Sequence, residues 1–265
     1  MKRMTNSILF IVLAVFLAGC SDTNESEHTE SVNQKTPTVE LLISAAASLT
    51  DALEELKEPF EKAHEGITVT YNFGSSGKLA KTIENGAPSD VFLSASSKDM
   101  NDMEDKGLLI NESRIDFTEN ALVLITHQDS DRTISSFKEI DPAAMDHLAM
   151  GEPESVPVGR YTKETFESLD LWNSLQDKLV LGSDVRQVLT HVEMGNADYG
   201  VVYSSDAFVS DDVKVLAEAD ADWHEQIVYP GAVVAESKHQ DAAQLFLDYL
   251  TSDEGKETLQ KFGFK

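Results

Sequence analysis

The chain has 265 residues, 47 of them Asp or Glu against 21 Lys or Arg, for a formal net charge of −26. So acidic a chain repels a phosphate backbone, which excludes nucleic acid as a partner, and the acidity reads as a solvated surface. A single cysteine excludes a disulfide or a thiolate metal cluster, and a hydrophobic content of 41% fills one large core or two small ones.

The first residues read as an export signal. Lys2 and Arg3 form a basic start, residues 8–17 an apolar run too short to span a bilayer, and Leu17-Ala18-Gly19-Cys20 a small-residue cleavage site. These features predict a lipoprotein signal peptide over 1–19 and lipidation of Cys20 at the mature N-terminus. Residues 20–38 contain Val32 as their one bulky apolar side chain, the composition of a flexible tether. The expected location is the extracytoplasmic face of the cell membrane, held there by the lipid. The folded part is expected to begin near Val39.

Val39–Ala46 (VELLISAA) is an apolar, β-branched run that predicts a strand. Apolar residues at Leu49, Ala52, Leu53, Leu56, Phe60 and Ala63 then predict a helix ending near Gly66, with Pro59 weakening its last turn. The alternation repeats as strand 68–73, turn Gly74-Ser75-Ser76-Gly77, helix 78–85, strand 90–95 and helix 97–106. A second stretch predicts strands over 121–126 and 147–150, a loop over 153–161, helical segments across 163–178, a helix over 185–194 and a strand over Tyr199–Tyr203. Strands over 213–217 and 226–234 and helices over 241–251 and 253–262 close the chain. Strand and helix in alternation define an α/β protein with mostly parallel sheets.

Parallel sheets bind ligands at the carboxyl ends of their strands, where following helices present unsatisfied N–H groups and the positive end of their dipole. Four turns have the chemistry of such an anion site: Ala47-Ser48-Leu49, Gly74-Ser75-Ser76-Gly77, Pro157-Val158-Gly159 and Ser183-Asp184-Val185. Each has a plainer reading. Ser48 and Thr50 are equally helix N-caps, Gly74 and Gly77 equally turn glycines, and Tyr203 equally a half-buried packing residue. Periodicity and turns alone therefore stop at an α/β protein with an unspecified anion or small-molecule site.

Six segments carry a resemblance further: AAASLTDAL (45–53), FGSSGKLAKTIENGAPSDVFLSAS (73–96), GEPESVPVGRYTKE (151–164), SDVRQVL (183–189), GNADYGVVYSSDA (195–207) and KFGF (261–264). In wording and order they resemble the periplasmic molybdate-binding proteins (ModA family) of bacterial ABC transporters, from about Val39 to the C-terminus. The resemblance implies a type II periplasmic-binding-protein fold, with lobe 1 over 39–120 and 227–265, lobe 2 over 121–226 and a ligand cleft between them. It implies binding of molybdate, and tungstate with it, without catalysis or a cofactor, and delivery by a monomer to an ABC permease and its ATPase. Carried over by motif, Ser48 and Ser76 would donate through hydroxyl and backbone N–H, Val158 and Val185 through backbone N–H, and Tyr203 through its phenol. No side chain would touch molybdenum or tungsten directly. The sequence departs from the family wording at Val158, where alanine is commoner, and at Arg160, usually uncharged, for which a solvent-facing side chain is expected over one that reaches the ligand or the cleft mouth. Arg186 is expected in a lobe-to-lobe or surface ion pair.

Rival readings fare less well. Gly74-Ser75-Ser76-Gly77 lacks the second glycine of a nucleophile elbow, since Lys78 stands there, and Leu79 replaces the Ser or Thr of a phosphate loop. The seven histidines form no close ligand pair. A cation receptor needs acceptors where these turns offer donors. Sulfate, thiosulfate or phosphate would differ from molybdate only in the cavity size required.

Overall fold

The computed structural model of the chain describes residues 38–265; the expected signal peptide (1–19), Cys20 and all but the last residue of the expected tether lie outside them. The N-terminal part of the described chain alternates as the apolar periodicity demands: β1 (Val39–Ala46), α1 (Thr50–Ala63), β2 (Ile67–Gly74), α2 (Ser76–Glu84), β3 (Val91–Leu93), α3 (Ser97–Asp105) and β4 (Ile115–Glu119). A second series follows: β5 (Leu122–His127), β6 (Leu148–Gly151), α4 (Pro157–Ser168), α5 (Trp172–Leu175), β7 (Leu179–Gly182), α6 (Val185–Glu193), β8 (Tyr199–Tyr203), α7 (Ser204–Phe208) and β9 (Val213–Glu218). The chain closes with β10 (Val228–Val233), α8 (Gln240–Leu250) and α9 (Asp253–Lys261).

These strands form two five-stranded sheets, ordered β2-β1-β3-β10-β4 and β7-β6-β8-β5-β9. In the first, β1 pairs in parallel with β2 and β3, and β10 runs antiparallel to β3 and β4. In the second, β6 pairs in parallel with β7 and β8, and β5 runs antiparallel to β8 and β9. One strand in each sheet thus opposes the other four, and it is the strand that has just crossed from the other sheet. The crossings, after β4 and after β9, touch through the Asn120 N–H, which donates to the Ile227 carbonyl at 3.1 Å.

Helix α1 runs on through Pro59 because Phe60 is fully buried against Phe246, ring centroids 5.1 Å apart edge to face. Burying an aromatic ring returns about 1.5–3 kcal/mol, comparable to the backbone bond that the proline forfeits. The loop expected over 153–161 is shorter than predicted: α4 already begins at Pro157, in the first turn, where proline's missing N–H has no intrahelical role. Between α4 and α5 the chain reverses at Asp170, the one non-glycine residue with positive φ (57°) among those described.

Close approach of backbone to backbone fixes the start of α4. A Cβ on Gly159 would collide with the carbonyl oxygen of Gly151 at the end of β6, so only glycine lets this helix seat on the strand end. Gly159→Ala should therefore lower stability by about 1–3 kcal/mol, the usual range for overpacking. Urea unfolding of the ligand-free protein checks this, and a loss within experimental error would contradict the close-packing account.

Candidate functional site

The strand ends of the two sheets face one another across a small cavity. Ser48 sits in the single 3₁₀ turn Ala47–Leu49 that follows β1, and Ser76 opens α2 after β2. Val158 lies in the first turn of α4 after β6, Val185 opens α6 after β7, and Tyr203 ends β8. All five line the same small cavity, about 10 Å³ in volume. Two come from the first sheet's turns and three from the second's, and all are buried.

Several donors around this cavity are left with a proton to give. The first N–H groups of a helix lack partners within it, and neither Ser75 nor Val156, the residues preceding α2 and α4, supplies a side-chain cap. Ser75 instead donates its hydroxyl to the Ser155 carbonyl of the facing half. Ser76 Oγ accepts from the Ala95 N–H at 3.0 Å, so its own proton is free to point into the cavity. Tyr203 is more telling: its hydroxyl is buried and meets no protein partner. Burial holds the Tyr203 phenol well above its ordinary pKa, so it remains a neutral donor. A buried donor without an acceptor costs about 1–3 kcal/mol, and such groups in native structures call for an explanation such as a ligand.

The lining includes one charged side chain, Asp184, and its carboxylate is occupied as the cap of α6 by the Gln187 N–H at 3.0 Å. Nearby arginines serve the contact between halves and do not line the cavity. Arg160 was expected in solvent; it is instead mostly buried and pairs with Asp99 of α3 at 2.5 Å. The reason is that Asp99 is itself buried, which raises its pKa, and the guanidinium opposite restores some of its preference for charge. Arg186 joins Asp51 of α1, across the two halves as expected, and lies 3.0 Å from Asp206 of α7. Lys78 Nζ donates to the Ser183 carbonyl at 2.8 Å. Gly77 completes the approach, because a Cβ there would stand 2.5 Å from the Ser155 carbonyl oxygen. Among the described residues, no cluster of three or more His, Cys, Asp or Glu side chains could hold a metal ion.

A larger cavity, 720 Å³, lies at the opposite end of the first sheet, between Glu40, Ile83, Ser89, Asp90 and Ser237. Its buried carboxylate is already satisfied: Asp90 accepts from the Leu42 N–H at 2.8 Å and from Ser237 Oγ at 2.6 Å. Size alone favours this cavity, but unmet donors favour the smaller one.

Asp51, Asp99 and Asp206 escaped sequence reading because their partners lie far along the chain. Asp206 is fully buried, and its charged partner is Arg186, whose Nε lies 3.0 Å from one carboxyl oxygen. Burial pushes it up to about 7 in spite of Arg186, with Asp51 and Asp184 adding to the rise. A carboxyl whose folded pKa is raised favours the folded state most when protonated. Its contribution is therefore complete below about pH 4 and is lost as pH climbs towards about 7. Asp206→Asn, neutral throughout, should remove that part of the decline between pH 4 and 7, as read from melting temperatures across the range. Parallel profiles for the two proteins would contradict the assignment.

Comparison with known proteins places this arrangement. A family model described as bacterial extracellular solute-binding protein matches residues 41–265. The "Putative ABC transporter substrate-binding lipoprotein YvgL" of Bacillus subtilis is 43% identical over 97% of this chain and 97% of its own length. The molybdate-binding protein ModA of Haemophilus influenzae is 40% identical, over 84% of this chain and 88% of its own. The solved periplasmic molybdate-binding protein of Azotobacter vinelandii superposes with a TM-score of 0.76, covering 85% of this chain and 98% of that one. At 23% identity it speaks for the fold alone. The chain belongs to the bacterial extracellular solute-binding proteins, in the family of the molybdate-binding proteins.

Proposed function

We propose that this protein captures molybdate, and tungstate with it, outside the cytoplasmic membrane and delivers it as a monomer to an ABC permease and its ATPase. In this reading Cys20 carries the lipid that holds the chain to the membrane, and the event is binding without covalent change. The observation that carries it is the convergence of Ser48, Ser76, Val158, Val185 and the unpartnered Tyr203 hydroxyl on one small cavity without a cation. Such a set of donors matches an acceptor-only dianion. A hard cation would find too few acceptors there.

The two halves, 39–120 with 227–265 and 121–226, act in this account as lobes that open and shut about the two crossings. Hydrogen bonds to a charged acceptor are about twice as strong as neutral ones, so the dianion exchanges its hydration shell for fixed donors and holds the lobes together. Cavity dimensions set the selectivity. A smaller tetrahedral anion such as sulfate leaves some donors stretched, and the identities of the relatives favour the larger ion.

Calorimetry and thermal melts of the full chain with molybdate, tungstate, sulfate, thiosulfate and phosphate test this. Molybdate and tungstate should raise the melting temperature in proportion to ln(1 + [L]/Kd), and sulfate should leave it unchanged. Ser76→Ala should weaken molybdate by about 1–3 kcal/mol while the protein stays folded. Stabilisation by sulfate, thiosulfate or phosphate alone would keep the fold and reassign the ligand; an unchanged molybdate affinity in Ser76→Ala would remove that residue from the site.

A further inference from the structure

Of the four hydroxyls that line the cavity, Ser75 gives its proton to the Ser155 carbonyl, and Ser48 is the one whose proton direction its immediate surroundings leave open. Ser76 has a backbone N–H behind it and Tyr203 has no protein partner, but Ser48 Oγ lies 2.8 Å from the hydroxyl of Tyr229, and either oxygen can donate. If Ser48 gave its proton to Tyr229, it would present a lone pair to an anion and repel it. The polarity of this one bond therefore decides whether Ser48 is a ligand at all.

That polarity is set one residue further back. Asn120 Oδ1 accepts from the Ala121 N–H at 2.9 Å and from Ser204 Oγ at 2.7 Å. A backbone N–H can only donate, so the atom it meets must be the amide oxygen, and the other atom of the Asn120 head is the NH₂ group. That group donates to Ser205 Oγ at 2.9 Å and to the Tyr229 oxygen at 3.4 Å. With a donor at its back, the Tyr229 hydroxyl turns its own proton to its remaining neighbour, Ser48 Oγ. Ser48 then accepts from Tyr229, and its proton is left to point into the cavity.

We infer that Tyr229, oriented by Asn120, is a positioning residue that fixes the Ser48 hydroxyl as a donor to the bound oxyanion. Tyr229 is fully buried and does not itself line the cavity, so it acts only through Ser48. Its burial holds the phenol well above the ordinary tyrosine range, and it always has a proton to give. Asn120 stands between β4 and β5 and Tyr229 lies in β10, the strand that follows the return crossing. The relay thus runs along the two crossings to the turn after β1, and the site's polarity is built into the segment about which the lobes are proposed to turn.

The inference rests on the oxyanion reading, and a double-mutant cycle with a wild-type control separates the two. Molybdate affinity is measured by calorimetry for the wild type, Tyr229→Phe, Ser48→Ala and the double variant. Tyr229→Phe keeps the ring against Phe117, Tyr203 and Phe264 and removes the hydroxyl alone. It should raise Kd about tenfold in the wild-type background and less than about twofold when Ser48 is already alanine. An equal loss in both backgrounds marks a general structural effect and overturns the inference, as does no loss in either. NMR of the ligand-free wild type asks the same question without any variant. The slowly exchanging Tyr229 hydroxyl proton should give a cross-peak to the Ser48 β protons, and its placement towards Asn120 instead would overturn the relay. If the wild type takes up no molybdate, the molybdate reading fails while the NMR result still decides the relay.

Discussion

Donors that the protein buries and leaves unsatisfied are the constraint on which the rest of this structure depends. The first turns of α2, α4 and α6 meet at one cavity with the Ser48, Ser76 and Tyr203 hydroxyls, and no protein acceptor fills it. Each unmet donor costs about 1–3 kcal/mol when water is excluded. A dianion that meets them all at once removes the penalty, and the same penalty works against a smaller or positively charged occupant. Affinity and selectivity in this account thus share one source, which is the mismatch left when the cavity is empty or wrongly filled.

The chain's acidity follows from the same arrangement. A net charge of −26 opposes an incoming anion at long range, yet that field is screened over about a Debye length of roughly 8 Å at physiological salt. Partial charges on oriented N–H groups act at contact distance in a water-poor cleft, where they are least screened. Arginine is therefore free for other work. Arg160 with Asp99 and Arg186 with Asp51 tie one half to the other, and Gly77 gives the Ser155 carbonyl room to approach. These contacts border the donor set without entering it, so the strength of closure and the fit to the ligand can vary independently.

Much of the fold was legible because burial writes itself into periodicity. β1 spans VELLISAA from end to end, and α6 and α8 show their apolar stripes plainly. β4 was missed because IDFTE mixes exposed acids with two buried residues, and β7 because LVLG is only four residues long at a sheet edge. The strand-to-helix turns were legible as anion-site chemistry, but their convergence was not, since it is set by pairings between residues far apart in the chain. Backbone donors such as Val158 and Val185 leave no mark in side-chain identity, and only the resemblance to a known family singled them out. Asn120 and Tyr229 gave no signal either. Their role comes from a partner 109 residues away and from the order in which lone pairs are used.

The most direct measurement is a crystal structure with molybdate, its metal located by anomalous scattering at the molybdenum K edge. The account predicts one strong peak between the turn after β1 and the first turns of α2, α4 and α6. The oxyanion's oxygens should lie within hydrogen-bond distance of the Ser48, Ser76 and Tyr203 hydroxyls and the Val158 and Val185 N–H groups, with Arg160 and Arg186 still paired to their aspartates. A peak in the larger cavity beside Asp90, or an arginine drawn onto the anion, would contradict it.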